Sequence, residues 1–182
     1  RKDHTAVWSG SEVLVWGGES LLGFPGGGAL YNPMTDRWRP IATKGAPSAR
    51  SGFFSAWTGD AFVVFGGVTL DGPVADGALY DPVDDHWRPI NTDGAPSARS
   101  GGAGVWTGRE LFVWGGFDGT GQELGTGALY DPMSDRWRPV PSRDAPEARA
   151  EYLTVWTDRE VFVWGGITVD RSMRPFVINR LD

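Results

Sequence analysis

The sequence predicts an all-β chain of antiparallel four-stranded sheets stacked face to face around a shared axis, three sheets complete and a fourth lacking its outermost strand. Three observations carry this expectation: a phrase that returns every 49 or 50 residues, apolar runs too short for helices, and 27 Gly, 13 Pro and 10 Trp among 182 residues. A period of that length, punctuated by Gly and Pro, marks one supersecondary unit repeated in space. The tryptophans supply wide, flat side chains that fill the space between sheets.

Each copy reads in the same order. An arginine (Arg1, Arg50, Arg99, Arg149) stands seven residues before a tryptophan (Trp8, Trp57, Trp106, Trp156). Nine residues beyond that tryptophan comes a glycine pair, Gly17-Gly18, Gly66-Gly67, Gly115-Gly116 or Gly165-Gly166. Strand a is the stretch into the Trp (HTAVW, FFSAW, GAGVW, YLTVW), closed by SGSE, TGDA, TGRE or TDRE, which has hairpin-turn chemistry. Strand b is the run VLVW, FVVF, LFVW or VFVW before the glycines. Because a sheet solvated on one face would alternate apolar with polar, such unbroken runs imply sheets hidden on both faces. The doubled glycines suit a backbone that leaves a crowded strand through angles or contacts a side chain forbids. Strand c is GALY at 28–31, 77–80 and 127–130, and Asn32-Pro33, Asp81-Pro82 and Asp131-Pro132 turn it into strand d, WRPI or WRPV. A connector such as GAPSAR then leads into the next copy, so the blades fall at about 1–49, 50–98, 99–148 and 149–182 of a single domain.

An apolar strand, a glycine pair, then a Tyr and a Trp separated by six residues (Tyr31 and Trp38, Tyr80 and Trp87, Tyr130 and Trp137) resembles the kelch repeat, over essentially the whole chain. The resemblance implies a kelch-type β-propeller in which each copy is one blade. The phrases WTG, VWGG, ALYDP, WRP and PSAR are most similar to bacterial kelch arrays, which implies an extracellular or cell-surface setting. In the fourth copy Asn179 stands where the Tyr is expected and no matching Trp follows. Kelch rings usually hold six or seven blades. The open blade faces are therefore expected to be covered by missing blades or by self-association, two chains making a ring of about eight. A self-closed four-bladed ring would need about 90° between blades.

Composition limits the chemistry. A net charge of −6 repels phosphate backbones and anionic headgroups, so neither nucleic acid nor a membrane surface is an expected partner. No apolar stretch approaches the roughly 18 residues of a membrane-spanning helix, and no membrane insertion is expected. There is no cysteine, and the only histidines, His4 and His86, occupy unlike positions in their copies, so no metal site, triad or cofactor is expected. The loop 71–76 lacks the spacing of a calcium site. Asp36, Asp85 and Asp135 recur two residues before the strand-d Trp and are expected to cap the Asx-Pro turns. The recurring arginines are expected to bond loop carbonyls between blades. Among enzymes of kelch architecture, the copper radical oxidases need a cysteine. A sialic-acid mutarotase or epimerase would need a central pocket holding a carboxylate and an arginine that are not repeat-equivalent.

Function in a repeat protein sits where the copies disagree, because shared positions build the blade. The segments 19–27, 68–76, 117–126 and 167–175 disagree most; all four join strand b to strand c and emerge on one face beside the connectors. The candidate ligand-binding residues are Glu19, Phe24, Asp71, Asp76, Asp118, Glu123, Arg171 and Arg174. The expected function is a non-catalytic binding or scaffolding module for a protein or glycan. The alternatives are a carbohydrate-active enzyme and a structural segment that assembles into a ring.

Overall fold

The computed structural model describes residues 1–143 and 145–168, and the backbone of residues 176–178. Blade one is formed by β1 (Thr5–Trp8), β2 (Val13–Trp16), β3 (Gly28–Asn32) and β4 (Arg37–Pro40). Blade two comprises β5 (Phe54–Trp57), β6 (Phe62–Phe65), β9 (Gly77–Asp81) and β10 (His86–Pro89), with β7 (Val68–Thr69) and β8 (Gly72–Pro73) forming a small hairpin between its middle strands. Blade three holds β11 (Val105–Trp106), β12 (Leu111–Trp114), β13 (Gly127–Asp131) and β14 (Arg136–Pro139). Blade four holds β15 (Leu153–Trp156), β16 (Val161–Trp164) and β17 (Phe176–Ile178). Every pairing is antiparallel between neighbours in the order a-b-c-d, as expected, and the described residues include no helix. In blade four the ladder sets Ile178 opposite Val161, where Tyr31, Tyr80 and Tyr130 face Val13, Phe62 and Leu111. Ile178 thus holds the register position that the sequence spacing assigns to Asn179, which lies outside the described residues.

Three apolar cores lie between blades. Leu14, Trp16 and Leu30 of blade one meet Phe53, Val64, Tyr80 and Trp87 of blade two. Phe54, Phe65 and Leu79 meet Leu111, Tyr130 and Trp137 in the next core, and Phe112, Trp114 and Leu129 meet Tyr152, Val161 and Val163 in the third. Burial along the b strands reports this stacking directly. β6 and β12, each flanked by two blades, are buried at every position, whereas in β2 every second residue is only half-buried and β16 likewise ends on an exposed Trp164. β11 is the shortest inner strand; a Cβ at Gly104 would stand 2.8 Å from the Ser55 amide nitrogen, so glycine there lets β11 lie close against blade two.

Recurring polar residues fasten the blades, the aspartates by a route that differs from the sequence expectation. The Asx-Pro turns are capped by Asn32, Asp81 and Asp131, whose Oδ1 atoms accept from the amides of Met34, Val83 and Met133 at 2.8–2.9 Å. Asp36, Asp85 and Asp135 instead sit in the left-handed region, with φ of 54°, 48° and 53°, and accept from the hydroxyls of Tyr31, Tyr80 and Tyr130. Asp85 and Asp135 also accept from the amides of Ala42 and Asn91 in the preceding connectors at 2.8 and 3.0 Å. The Tyr80 hydroxyl and the Ala42 amide hold the Asp85 carboxyl below the usual carboxylate range. The buried arginine side chains bond the connector carbonyls that lead in from the preceding blade, Ser48 for Arg50 and Ser97 for Arg99, as expected, and they also bridge strand ends within their own copy: Arg50 reaches the carbonyls of Gly66 and Asp76, and Arg99 those of Gly115 and Thr126. Their backbone adds a further inter-blade bond, because the carbonyls of Arg50, Arg99 and Arg149 accept from the amides of Gly18, Gly67 and Gly116. Those glycines and the ones before them, Gly17, Gly66 and Gly115, have positive φ, and a Cβ at Gly115 would lie 2.6 Å from the Arg149 carbonyl oxygen.

Candidate functional site

The b–c loops stand on the face where the connectors cross. Lys2, Ser51, Ser100 and Ala150 make backbone bridges to Glu19, Val68, Phe117 and Ile167, so the entry to each inner strand anchors the root of its own blade's loop. Each of the first three loops then folds on itself. Ser20 and Gly23 exchange backbone hydrogen bonds of 2.8 and 3.1 Å, and the Ser20 hydroxyl accepts from Leu22, which leaves Leu21 and Leu22 on a two-residue tip. In blade two the β7–β8 hairpin carries Leu70 and Asp71 at its tip, with Thr69 Oγ1 donating to Gly72. In blade three Asp118 Oδ1 gathers the Thr120 amide and hydroxyl and the Gln122 amide at 2.7–3.0 Å. The Thr120 hydroxyl, with those amides, holds the Asp118 carboxyl below its ordinary range. These three loops are therefore short, internally bonded hairpins, pre-shaped before any ligand arrives.

The candidate residues divide on these contacts. Glu19 pairs with Lys2 at 2.7 Å at the foot of the first loop, and Phe24 is half-buried. Asp76 pairs with the buried Arg50 at 2.8 Å and so braces the blade. Asp118 shapes its own loop, and Glu123 pairs through its backbone with Phe117. Asp71 stands exposed on a tip. Arg171 and Arg174 lie outside the described residues. Leu21 and Leu22 are not among the candidates read from the sequence, although they are the most exposed large apolar side chains among the described residues, at 106% and 100%. A leucine pair inside a Ser/Gly turn was the available signal.

At the axis the four inner strands converge around a cleft of about 650 Å³, lined among others by Lys2, Asp3, His4, Ser100, Glu151 and Tyr152. Asp3 and Glu151 are repeat-equivalent, both with φ of 53°, at the position that Gly52 and Gly101 fill in the middle blades. The described lining contains carboxylates but no arginine; the arginines are committed to the blade interiors. Among the described residues no three His, Cys, Asp or Glu side chains group as a metal site.

Blades fastened by a Tyr–Asp clasp, a buried arginine and a glycine pair agree with sequence comparison: the family profile described as the KLHDC2/KLHL20/DRC7 Kelch-repeats domain matches residues 1–166. The chain belongs to the kelch-repeat family. No curated protein matches it closely. Kelch domains are in general propeller modules for binding and scaffolding, and the rigid blades with unlike rim loops found here have that character.

Proposed function

We propose that this kelch domain binds a partner protein through its b–c loop rim, with Leu21 and Leu22 as the apolar anchor. The observation that carries the proposal is the complete exposure of both leucines on a turn locked by Ser20 and Gly23. A large apolar side chain held rigidly in water gains burial on docking at little ordering cost, about 1.5–3 kcal/mol for a leucine. Leu70 at the tip of the next blade's loop is also 84% exposed, and Asp71 beside it supplies a charge that orients the partner. A protein surface supplies the apolar complement to leucine that a glycan lacks. The test is to pan a displayed-peptide library on the wild-type domain and measure the recovered peptides against the double variant Leu21→Ser, Leu22→Ser. Affinity is expected to fall at least about tenfold with the melting temperature unchanged, and unaltered affinity removes the rim from consideration.

A second reading, assembly, is favoured by the two end faces. Trp38 and Trp164 are 60% and 50% exposed, whereas their counterparts Trp87 and Trp114 are buried against the adjoining blade. The face bearing Trp38, Tyr31 and Trp8 repeats the one that blade two offers to blade one. The face bearing Trp164, Leu153 and Val155 repeats the one that blade three offers to blade four. Each face therefore fits a further kelch blade. In light scattering, residues 1–182 are expected to exceed the mass of one 19.7 kDa chain, and Trp38→Ala to restore it; a monodisperse wild-type monomer would end this reading.

A further inference from the structure

On the face opposite the rim, the turns of blades two and three enclose a groove of about 680 Å³ that the rim proposal does not use. Its walls include Ala61, Leu79, Trp106 and Met133, and Arg88 opens into it. The copies explain why. In blade one Arg39 holds Glu12, with Nη2 to Oε2 at 2.8 Å and Nε to Oε1 at 3.4 Å. In blade three Arg138 holds Glu110 in a fork at 2.7 Å through both nitrogens. The fourth copy carries Glu160 at this position, but blade two carries Ala61. Arg88, the counterpart of Arg39 and Arg138, has no such fork; it meets Asp135 at 3.9 Å and the Tyr130 hydroxyl, and its side chain is 51% exposed against 41% for the other two. Asp135 does not replace the missing glutamate, because Arg39 faces the equivalent Asp85 and Tyr80 in addition to Glu12.

We propose that the groove between blades two and three binds an extended segment of a partner protein, an acidic side chain of that segment taking on Arg88 the place that Glu12 and Glu110 fill in the neighbouring blades. Guanidinium and carboxylate pair in a bidentate fork with defined geometry, and the chain itself displays the pairing twice. Trp106 and Met133 supply apolar contact for the residues on either side of the acid. Asp60 and Asp84 on the lining repel a bare anion and favour basic residues farther along the segment.

The test uses the whole domain and two blocked pentapeptides, one with a central glutamate between leucines and terminal lysines, the other with glutamine at the centre. In NMR titration the glutamate peptide is expected to shift the Arg88 Nε–H and Trp106 Nε1–H signals saturably, the glutamine peptide binding at least about tenfold more weakly. Ala61→Glu restores the residue that other copies carry, so it is expected to keep or raise the melting temperature, to fix the Arg88 signal, and to abolish peptide binding. Arg88→Gln is expected to lose the glutamate preference. Equal binding of the two peptides, binding of neither, or a folded Ala61→Glu domain that binds like wild type overturns the proposal. So does a marked fall in melting temperature for Ala61→Glu, because it shows that no carboxylate fits beside Arg88.

Discussion

Replacing Trp87 with alanine is expected to cost about 3–5 kcal/mol, the range for truncating a large buried aromatic, and to lower the melting temperature by roughly 10 °C. Trp87 is only 1% exposed and packs on Trp16, Phe62 and Tyr80, with ring centroids 5.1–6.3 Å away. Its indole nitrogen donates to the Ala42 carbonyl at 2.8 Å, so truncation also strips a connector carbonyl of its partner. The same change at Trp38, which stands at the same place in its copy, is expected to cost about 1 kcal/mol or less in the isolated chain. Urea unfolding of the two variants checks this; equal losses would show that the indole matters within its own blade and not to the joint with the next.

Arg99→Ala is expected to be comparably damaging, at about 3 kcal/mol or more in chemical unfolding. Arg99 is 1% exposed; its nitrogens donate to the carbonyls of Ser97, Gly115 and Thr126 at 2.6–3.1 Å and reach the hydroxyls of Ser97 and Thr126. Burial opposes this, pushing the guanidinium down to about 10, so a charge in the interior carries its own cost. The carbonyls decide the sign: removing the side chain leaves three acceptors aimed at empty space, each worth about 1–3 kcal/mol when unsatisfied. Arg99→Lys is expected to recover little of the loss, because one ammonium cannot span three carbonyls set by a planar fork. A loss below about 1 kcal/mol for Arg99→Ala would mean that water satisfies these acceptors.

The architecture was legible because the code for it is written four times. Arginine, tryptophan and glycine pair recur in register in all four copies and the tyrosine in three, so one blade interprets the others, and short apolar runs with no alternation say that both sheet faces are covered. Roles that depend on which atoms meet across blades were less legible. The recurring aspartates announced themselves as structural, yet the spacing of five residues between Tyr80 and Asp85 was the clue that the partner was a phenol, with the preceding connector beside it, and not the turn. At the rim, sequence difference located the loops but could not separate Asp76, spent on Arg50, from Asp71, displayed on a tip. The Ala61 anomaly was visible as TGDA among SGSE, TGRE and TDRE; what it frees became clear only with Arg88 placed across from it.

The Asp85 and Asp135 clasps bear on how the domain comes apart. Each ties a tyrosine of one blade to the linker leaving the blade before it, so neighbours share a fastening that neither can complete by itself. Damage in blade two loosens two joints, while damage at blade one loosens a single joint. Unravelling therefore starts at the outermost blades and travels inward, with the middle of the array as the last part to let go.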